Sequence, residues 1–132
     1  MTVELICKET DRQTQEKSAP GAQSTIEPVI LCKNCNAFVT KPQFAVHTEE
    51  NGFSQTFANP AGYVFEIGCF ATAPGCREGS APSNEFSWYP GYAWCIGICR
   101  NCISQLGWVF LPLRQGRGSK FYGLVLDHLI FP

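Results

Sequence analysis

The sequence predicts a mostly β domain. Two observations carry that prediction. Aromatic and β-branched residues gather in short runs between turn residues. Nowhere do apolar residues recur at the spacing of a long helix. A third observation, two Cys-x-x-Cys pairs, predicts what pins the strands together.

The elements follow in order. Residues 1–27 are polar and turn-rich, with Glu9 to Lys17 followed by Ser18-Ala19-Pro20-Gly21. Such composition predicts an N-terminal tail outside the core. The folded unit is expected over residues 28–132. Val29-Ile30-Leu31 reads as a strand entering the first knuckle. Further strands are expected over Gly62–Ile67, Tyr92–Ile98, Gly107–Leu111 and Lys120–Val125. Asp127–Ile130 reads as a final turn or a short strand.

The bulk properties narrow the function. The chain has 132 residues, the length of one domain. Its formal net charge is −1 and no basic run appears. Nucleic acid and anionic membrane surfaces are therefore poor partners. No stretch is long and apolar enough to cross a bilayer. The first residues carry neither a basic n-region nor an apolar h-region, so a cytoplasmic location is expected.

Eight cysteines in a short chain suggest disulfides or metal. Without a secretory signal, the spacing Cys32-x-x-Cys35 and Cys99-x-x-Cys102 favours one structural zinc ion held by four thiolates. Cys7, Cys69, Cys76 and Cys95 are left over and read as small hydrophobes.

All three tryptophans lie near the second knuckle. Placing Cys99–Cys102 at a hairpin tip pairs residues whose numbers sum to about 202. Trp94 then opposes Trp108, Tyr92 opposes Phe110, and Ile96 opposes Leu106, all on one face. Trp88 precedes Pro90-Gly91, a turn that folds a third indole toward the other two. The plain reading is that each indole fills the core. Three converging indoles favour an open aromatic cage. Its guest would be a methylated ammonium, with Glu85 or Glu66 as a partner, or a neutral ring.

These residues resemble a known family. Glu85-Phe86-Ser87-Trp88-Tyr89-Pro90-Gly91-Tyr92-Ala93-Trp94, Cys99-Arg100-Asn101-Cys102 and Leu106-Gly107-Trp108-Val109-Phe110 are similar to the CULT domain. This is the thalidomide-binding domain of cereblon and of stand-alone bacterial relatives. Phe57 to Phe65 matches its Asn-Pro-x-Gly segment, and Lys120 to Leu124 its terminal strand. The resemblance implies a β-tent fold: two antiparallel sheets meeting at a zinc ion. It places the zinc ligands at Cys32, Cys35, Cys99 and Cys102. The cage falls on Trp88, Trp94 and Trp108, with Asn59, Phe65, Phe86 and Phe110 as further ligand-binding residues. The implied guest is a cyclic imide or ureide: glutarimide, a thalidomide-type ligand, a uracil-like ring, or the cyclised C-terminal Asn or Gln of a protein. The main chain of Phe86 and Trp88 would read its edge.

Two positions depart from the family pattern. Phe86 stands where the family often has His, and Gln105 interrupts its Ser-His-Leu-Gly-Trp string. Ubiquitin-ligase adaptor binding is not implied, because the sequence carries neither the Lon-like domain nor the adaptor-docking helical region of the eukaryotic protein. A non-enzymatic binding module is expected. The alternatives are a zinc-containing methionine-sulfoxide-reductase-like enzyme and a methyl-ammonium reader. The reductase would need a nucleophilic cysteine on a late strand, and no cysteine follows Cys102. His47 and His128 stand alone and form no catalytic constellation.

Overall fold

The β-rich reading holds because alternation does the work of helix-free folding. A computed structural model describes residues 27–47, 52–114 and 118–132. The expected tail, apart from Glu27, and Cys7 lie outside the described residues. Nine strands form among the described residues: β1 Ile30–Cys32, β2 Phe38–Thr40, β3 Ser54–Ala58, β4 Val64–Phe70, β5 Cys76–Glu78, β6 Tyr92–Cys99, β7 Gln105–Pro112, β8 Phe121–Val125 and β9 Leu129–Ile130. The end of the chain combines both expected forms. A 3₁₀ turn at Leu126–His128 leads directly into β9.

The strands make two antiparallel sheets. The small one has the order β9-β1-β2, and the large one β3-β4-β8-β7-β6-β5. Strict alternation along β6 buries Ala93, Cys95, Gly97 and Cys99 and leaves Tyr92, Trp94, Ile96 and Ile98 half-buried. One face of the large sheet therefore joins the core and the other faces the candidate pocket. The core cluster contains Ile30 and Val39 from the small sheet, with Phe70, Leu106, Val109 and Leu124 from the large one.

Polar ties fix the two sheets at their junction. The Thr40 hydroxyl donates to the Thr72 carbonyl at 2.8 Å. The Gly75 N–H donates to the Val39 carbonyl at 2.9 Å. Glu27 is anchored by Lys41 at 2.6 Å. Among the described residues, no helix is long and apolar enough to cross a membrane.

The register of the β6–β7 hairpin corrects the sequence expectation. Trp94 opposes Phe110, Ile96 opposes Trp108, and Tyr92 opposes Pro112. The pairs sum to 204, from Trp94 with Phe110, rather than to about 202. Two local features cause the slip. The turn extends past Cys102 through Ile103, which adopts a left-handed φ of 71°. A bulge between Gly97 and Ile98 then adds one more residue. Above the bulge the slip is even-numbered, so Trp94, Ile96, Trp108 and Phe110 keep the expected face. Beyond it the parity changes, and Leu106, expected to share that face with Ile96, is instead fully buried in the core cluster with Cys95 and Val109.

Gly107 shows how closely β7 and β8 approach. A Cβ there would lie 2.2 Å from the Gly123 carbonyl oxygen and 2.8 Å from the Leu124 Cα. Neither backbone atom can swing aside. Gly107→Ala is expected to destabilise the domain by about 3 kcal/mol. Thermal melts of the variant check this; an unchanged midpoint would refute the close approach.

Candidate metal centre and aromatic pocket

The two knuckles bring their sulfurs together. The Sγ atoms of Cys32, Cys35, Cys99 and Cys102 all lie within 4.8 Å of one another. Cys32 and Cys102 are 3.7 Å apart, as are Cys35 and Cys99. These separations are far longer than a disulfide bond of about 2.05 Å. A tetrahedral tetrathiolate with metal–sulfur bonds of about 2.3 Å places its sulfurs about 3.8 Å apart. The donor set therefore fits a metal ion.

The backbone around the knuckles favours thiolates. The Asn101 N–H points to the Cys99 sulfur at 3.4 Å. The Asn34 side chain, then the Ser104 hydroxyl, lower the pKa of the Cys102 thiol to about 5. The Asn101 side chain and the Ala37 main chain lower that of Cys35. Burial acts the other way on Cys99, pushing it up to about 11. A bound cation would hold all four in the thiolate form.

The candidate aromatic site lies on the other face of the large sheet. Trp88, Trp94 and Trp108 are all half-buried. Trp88 meets Trp108 edge to face, with centroids 4.7 Å apart. Phe65 touches both, at 6.3 Å and 5.2 Å. These three rings form one wall. Trp94 stands apart from it and makes no ring contact among the described residues. It sits diagonally from Trp108 across β6 and β7, because Trp94 pairs with Phe110. Diagonal neighbours on one face lie about 7–8 Å apart.

Hydrogen bonds fix two of the indoles. The Trp88 Nε1–H donates to the Ala58 carbonyl at 3.0 Å. The Trp94 Nε1–H donates to the Glu85 carbonyl at 2.8 Å. The second bond holds the loop that carries Phe86. That residue has a φ of 57° and is 73% exposed. Such a φ strains a bulky side chain by about 1–3 kcal/mol. Phe86→Gly is expected to raise stability by about 1 kcal/mol, read as a higher denaturation midpoint. A lower midpoint would mean that the Phe86 ring, not its backbone, matters to the loop.

The remaining expected pocket residues take different places. Asn59 caps its own turn: its Oδ1 accepts from the Tyr63 N–H at 2.9 Å, and its carbonyl from the Gly62 N–H. Phe110 is buried behind the wall, stacked on Phe121 at 5.0 Å and edge-on to Tyr89 at 4.9 Å. Gln105 lies on the knuckle side. There it lines a polar groove of ≈ 430 Å³ with Lys33, Asn34, Ser104, Asp127 and His128. Cys95 is buried on the core face, opposite to the face of Trp94. His47 lies beside Phe53, with ring centroids 5.7 Å apart.

Sequence reasoning missed the support beneath the wall. Phe57 stacks on Trp88 with centroids 4.9 Å apart and planes 8° apart. Tyr89 contacts Phe57, Phe110 and Phe121, donates to the Gln55 Oε1 at 2.8 Å, and lies 3.3 Å from the Cys69 sulfur. Burial raises the pKa of both Tyr89 and Cys69, so both stay protonated at neutral pH. Phe57 pairs with Phe65 across β3 and β4, a pairing that the expected strands did not include. The Tyr89 network had no sequence signal.

No family model matches the chain. Curated cereblon proteins do. The chain is 35% identical to Protein cereblon of Xenopus tropicalis over 108 residues, 76% of this chain and 23% of that protein. It is 32% identical to that of Gallus gallus over 103 residues, 76% of this chain and 23% of that protein. It is 32% identical to that of Drosophila virilis over 101 residues, 74% of this chain and 16% of that protein. The chain thus spans less than a quarter of the length of these relatives.

Proposed function

Because the chain carries a cereblon-like CULT domain, we propose that it is a zinc-stabilised module binding cyclic imides and ureides between Trp94 and the Trp88–Trp108–Phe65 wall. One observation carries the reading. Among the described residues, the main-chain N–H and C=O groups of Phe86 and Trp88 take no part in hydrogen bonds with other backbone groups. They border three half-buried indoles.

The chemistry follows from that pairing. A cyclic imide presents acceptor, donor and acceptor along one edge. Free backbone carbonyl and N–H groups can read that edge without side-chain help. This is why Phe86 can replace His without loss of recognition. The ring's faces lie against indoles. Two aromatic faces with a ring between them need about twice 3.5–4.0 Å, close to the roughly 7–8 Å typical of diagonal positions such as those of Trp94 and Trp108. Each buried CH₂ adds about 0.8 kcal/mol. A few such groups with two or three hydrogen bonds give an affinity near micromolar, about −8 kcal/mol.

Zinc is the metal that four cysteines at knuckle spacing select. It is redox-inert and needs no open position in a structural site. The ring guest can be a free metabolite or the cyclised C-terminal Asn or Gln of a protein. The module acts by binding rather than catalysis. Cys95, the thiol nearest the indoles in sequence, lies on the other side of the sheet.

Intrinsic tryptophan fluorescence tests the site. Uracil or glutarimide at millimolar concentration is expected to quench it. N-methylation of the imide removes the donor and is expected to abolish the quenching. A methylated ring that quenches equally would refute the backbone reading.

A further inference from the structure

Two cysteines outside the aromatic pocket face each other across a strand pair. β5 runs antiparallel to β6, with Cys76 opposite Cys99 and Arg77 opposite Ile98. The Arg100 N–H donates to the Gly75 carbonyl at 2.9 Å, and the Gly79 N–H to the Ile96 carbonyl at 2.7 Å. Ladder bonds therefore fall on residues 75 with 100 and 79 with 96. By alternation, Cys76 and Cys99 form a pair without ladder bonds. In such pairs the Cα atoms lie about 4.5 Å apart and the side chains approach closely. Disulfides span Cα separations of roughly 4.4–6.8 Å. The backbone therefore needs no movement to bridge them.

The surroundings give the sulfur room to turn. Cys76 is 2% exposed and Cys99 1% exposed, in the same apolar cluster. The Cys76 sulfur leans over Gly97, where a Cβ would lie only 2.9 Å away. Rotation about the Cys76 Cα–Cβ bond redirects it within the staggered set. Cys99 is also one of the four clustered sulfurs. It can serve the metal or Cys76, not both.

We propose that Cys76 is a resolving thiol, which forms a cross-strand disulfide with Cys99 and releases the metal when a low-molecular-weight disulfide oxidises the knuckle. The proposal rests on reading the four cysteines as a metal centre. The half-buried Cys102 sulfur attacks the oxidant RSSR and expels one RS⁻. Cys99 then attacks the Cys102 sulfur, expels the second RS⁻, and closes a Cys99–Cys102 bond. Cys76 attacks the Cys99 sulfur and returns Cys102 as a thiolate. In sum, Cys76 and Cys99 lose two protons and two electrons, and RSSR becomes two RSH. The metal leaves because one of its four sulfurs is now bonded to carbon and sulfur alone.

The test uses the metal-loaded full chain and oxidised glutathione. The metal content of the reduced chain, measured first, checks the metal reading by itself. Peptide mapping after oxidation is expected to find Cys76 linked to Cys99 as the dominant product. A colorimetric metal reporter is expected to show release in step with that bond. After the oxidant is exchanged for reduced glutathione, Cys76→Ser is expected to regain its metal at least about tenfold faster, because its oxidation stops at a readily reversed knuckle disulfide. Dominant Cys99–Cys102 or Cys32–Cys35 bonds in the unmutated chain would overturn the proposal. So would recovery of the metal by Cys76→Ser at the rate of the unmutated chain. If that variant fails to fold, the map of the unmutated chain still decides.

Discussion

Stripping the metal with a chelator is expected to unfold the domain. The four sulfurs link β1 and its following turn to the tip of the β6–β7 hairpin. The small sheet has strands of only two or three residues. A sheet that short is not stable alone. Its remaining ties to the large sheet are a few hydrogen bonds and a shared apolar cluster. Structural zinc contributes about 10–16 kcal/mol at neutral pH. A domain of this size is stable by only about 5–15 kcal/mol. The first term is therefore as large as the whole margin. Far-UV circular dichroism with and without chelator measures this, and added zinc should restore the signal. Cys99→Ser is expected to behave like the chelated chain. Acid should act in the same direction, since protons compete with the metal for sulfur. An unchanged melting temperature after verified metal removal would contradict the account.

Trp94→Ala is expected to abolish the proposed imide binding while the domain stays folded. In the proposed site Trp94 would face Trp88 and Trp108, and among the described residues it makes no close ring contact. It is half-buried on the pocket face of β6, and its neighbours Ala93 and Cys95 carry the burial. Its indole N–H also holds the Glu85 carbonyl, and so the Phe86 loop. Truncation removes both a ring face and a loop anchor. Aromatic anchors of this kind are worth at least about 2 kcal/mol, a thirtyfold or larger loss of affinity. Trp94→Phe separates the two roles, because it keeps a ring face and drops the N–H. Calorimetric titration with glutarimide reads both variants, and circular dichroism confirms the fold. Undiminished affinity in Trp94→Ala would mean that the socket lies elsewhere.

Much of this architecture was legible in the residues. Cys-x-x-Cys spacing marked Cys32, Cys35, Cys99 and Cys102 because a knuckle is a local device, complete within a few residues. Strand parity placed Trp94 and Trp108 on one face and Cys95 on the other for the same reason. Register was not legible. The left-handed Ile103 and the bulge beside Gly97 each add a residue without any compositional mark. The outcome matters for the site. Directly opposed positions lie about 4.5–5.5 Å apart and diagonal ones about 7–8 Å, so the diagonal register of Trp94 and Trp108 suits the proposed guest better. Non-local packing was also hidden. Nothing near Tyr89 in sequence announces Gln55 or Cys69, which reach it from β3 and β4. Asn59 carries a pocket role in the resembled family, yet its carbonyl groups here are engaged in its own turn.

The central claim is an uncharged indole socket read by backbone. Parallel calorimetric titration of the zinc-loaded chain with glutarimide, uracil and trimethyllysine tests it most directly. The account predicts micromolar binding of glutarimide, binding of uracil at one site, and no heat from trimethyllysine. Binding of trimethyllysine with silence from both rings would contradict it.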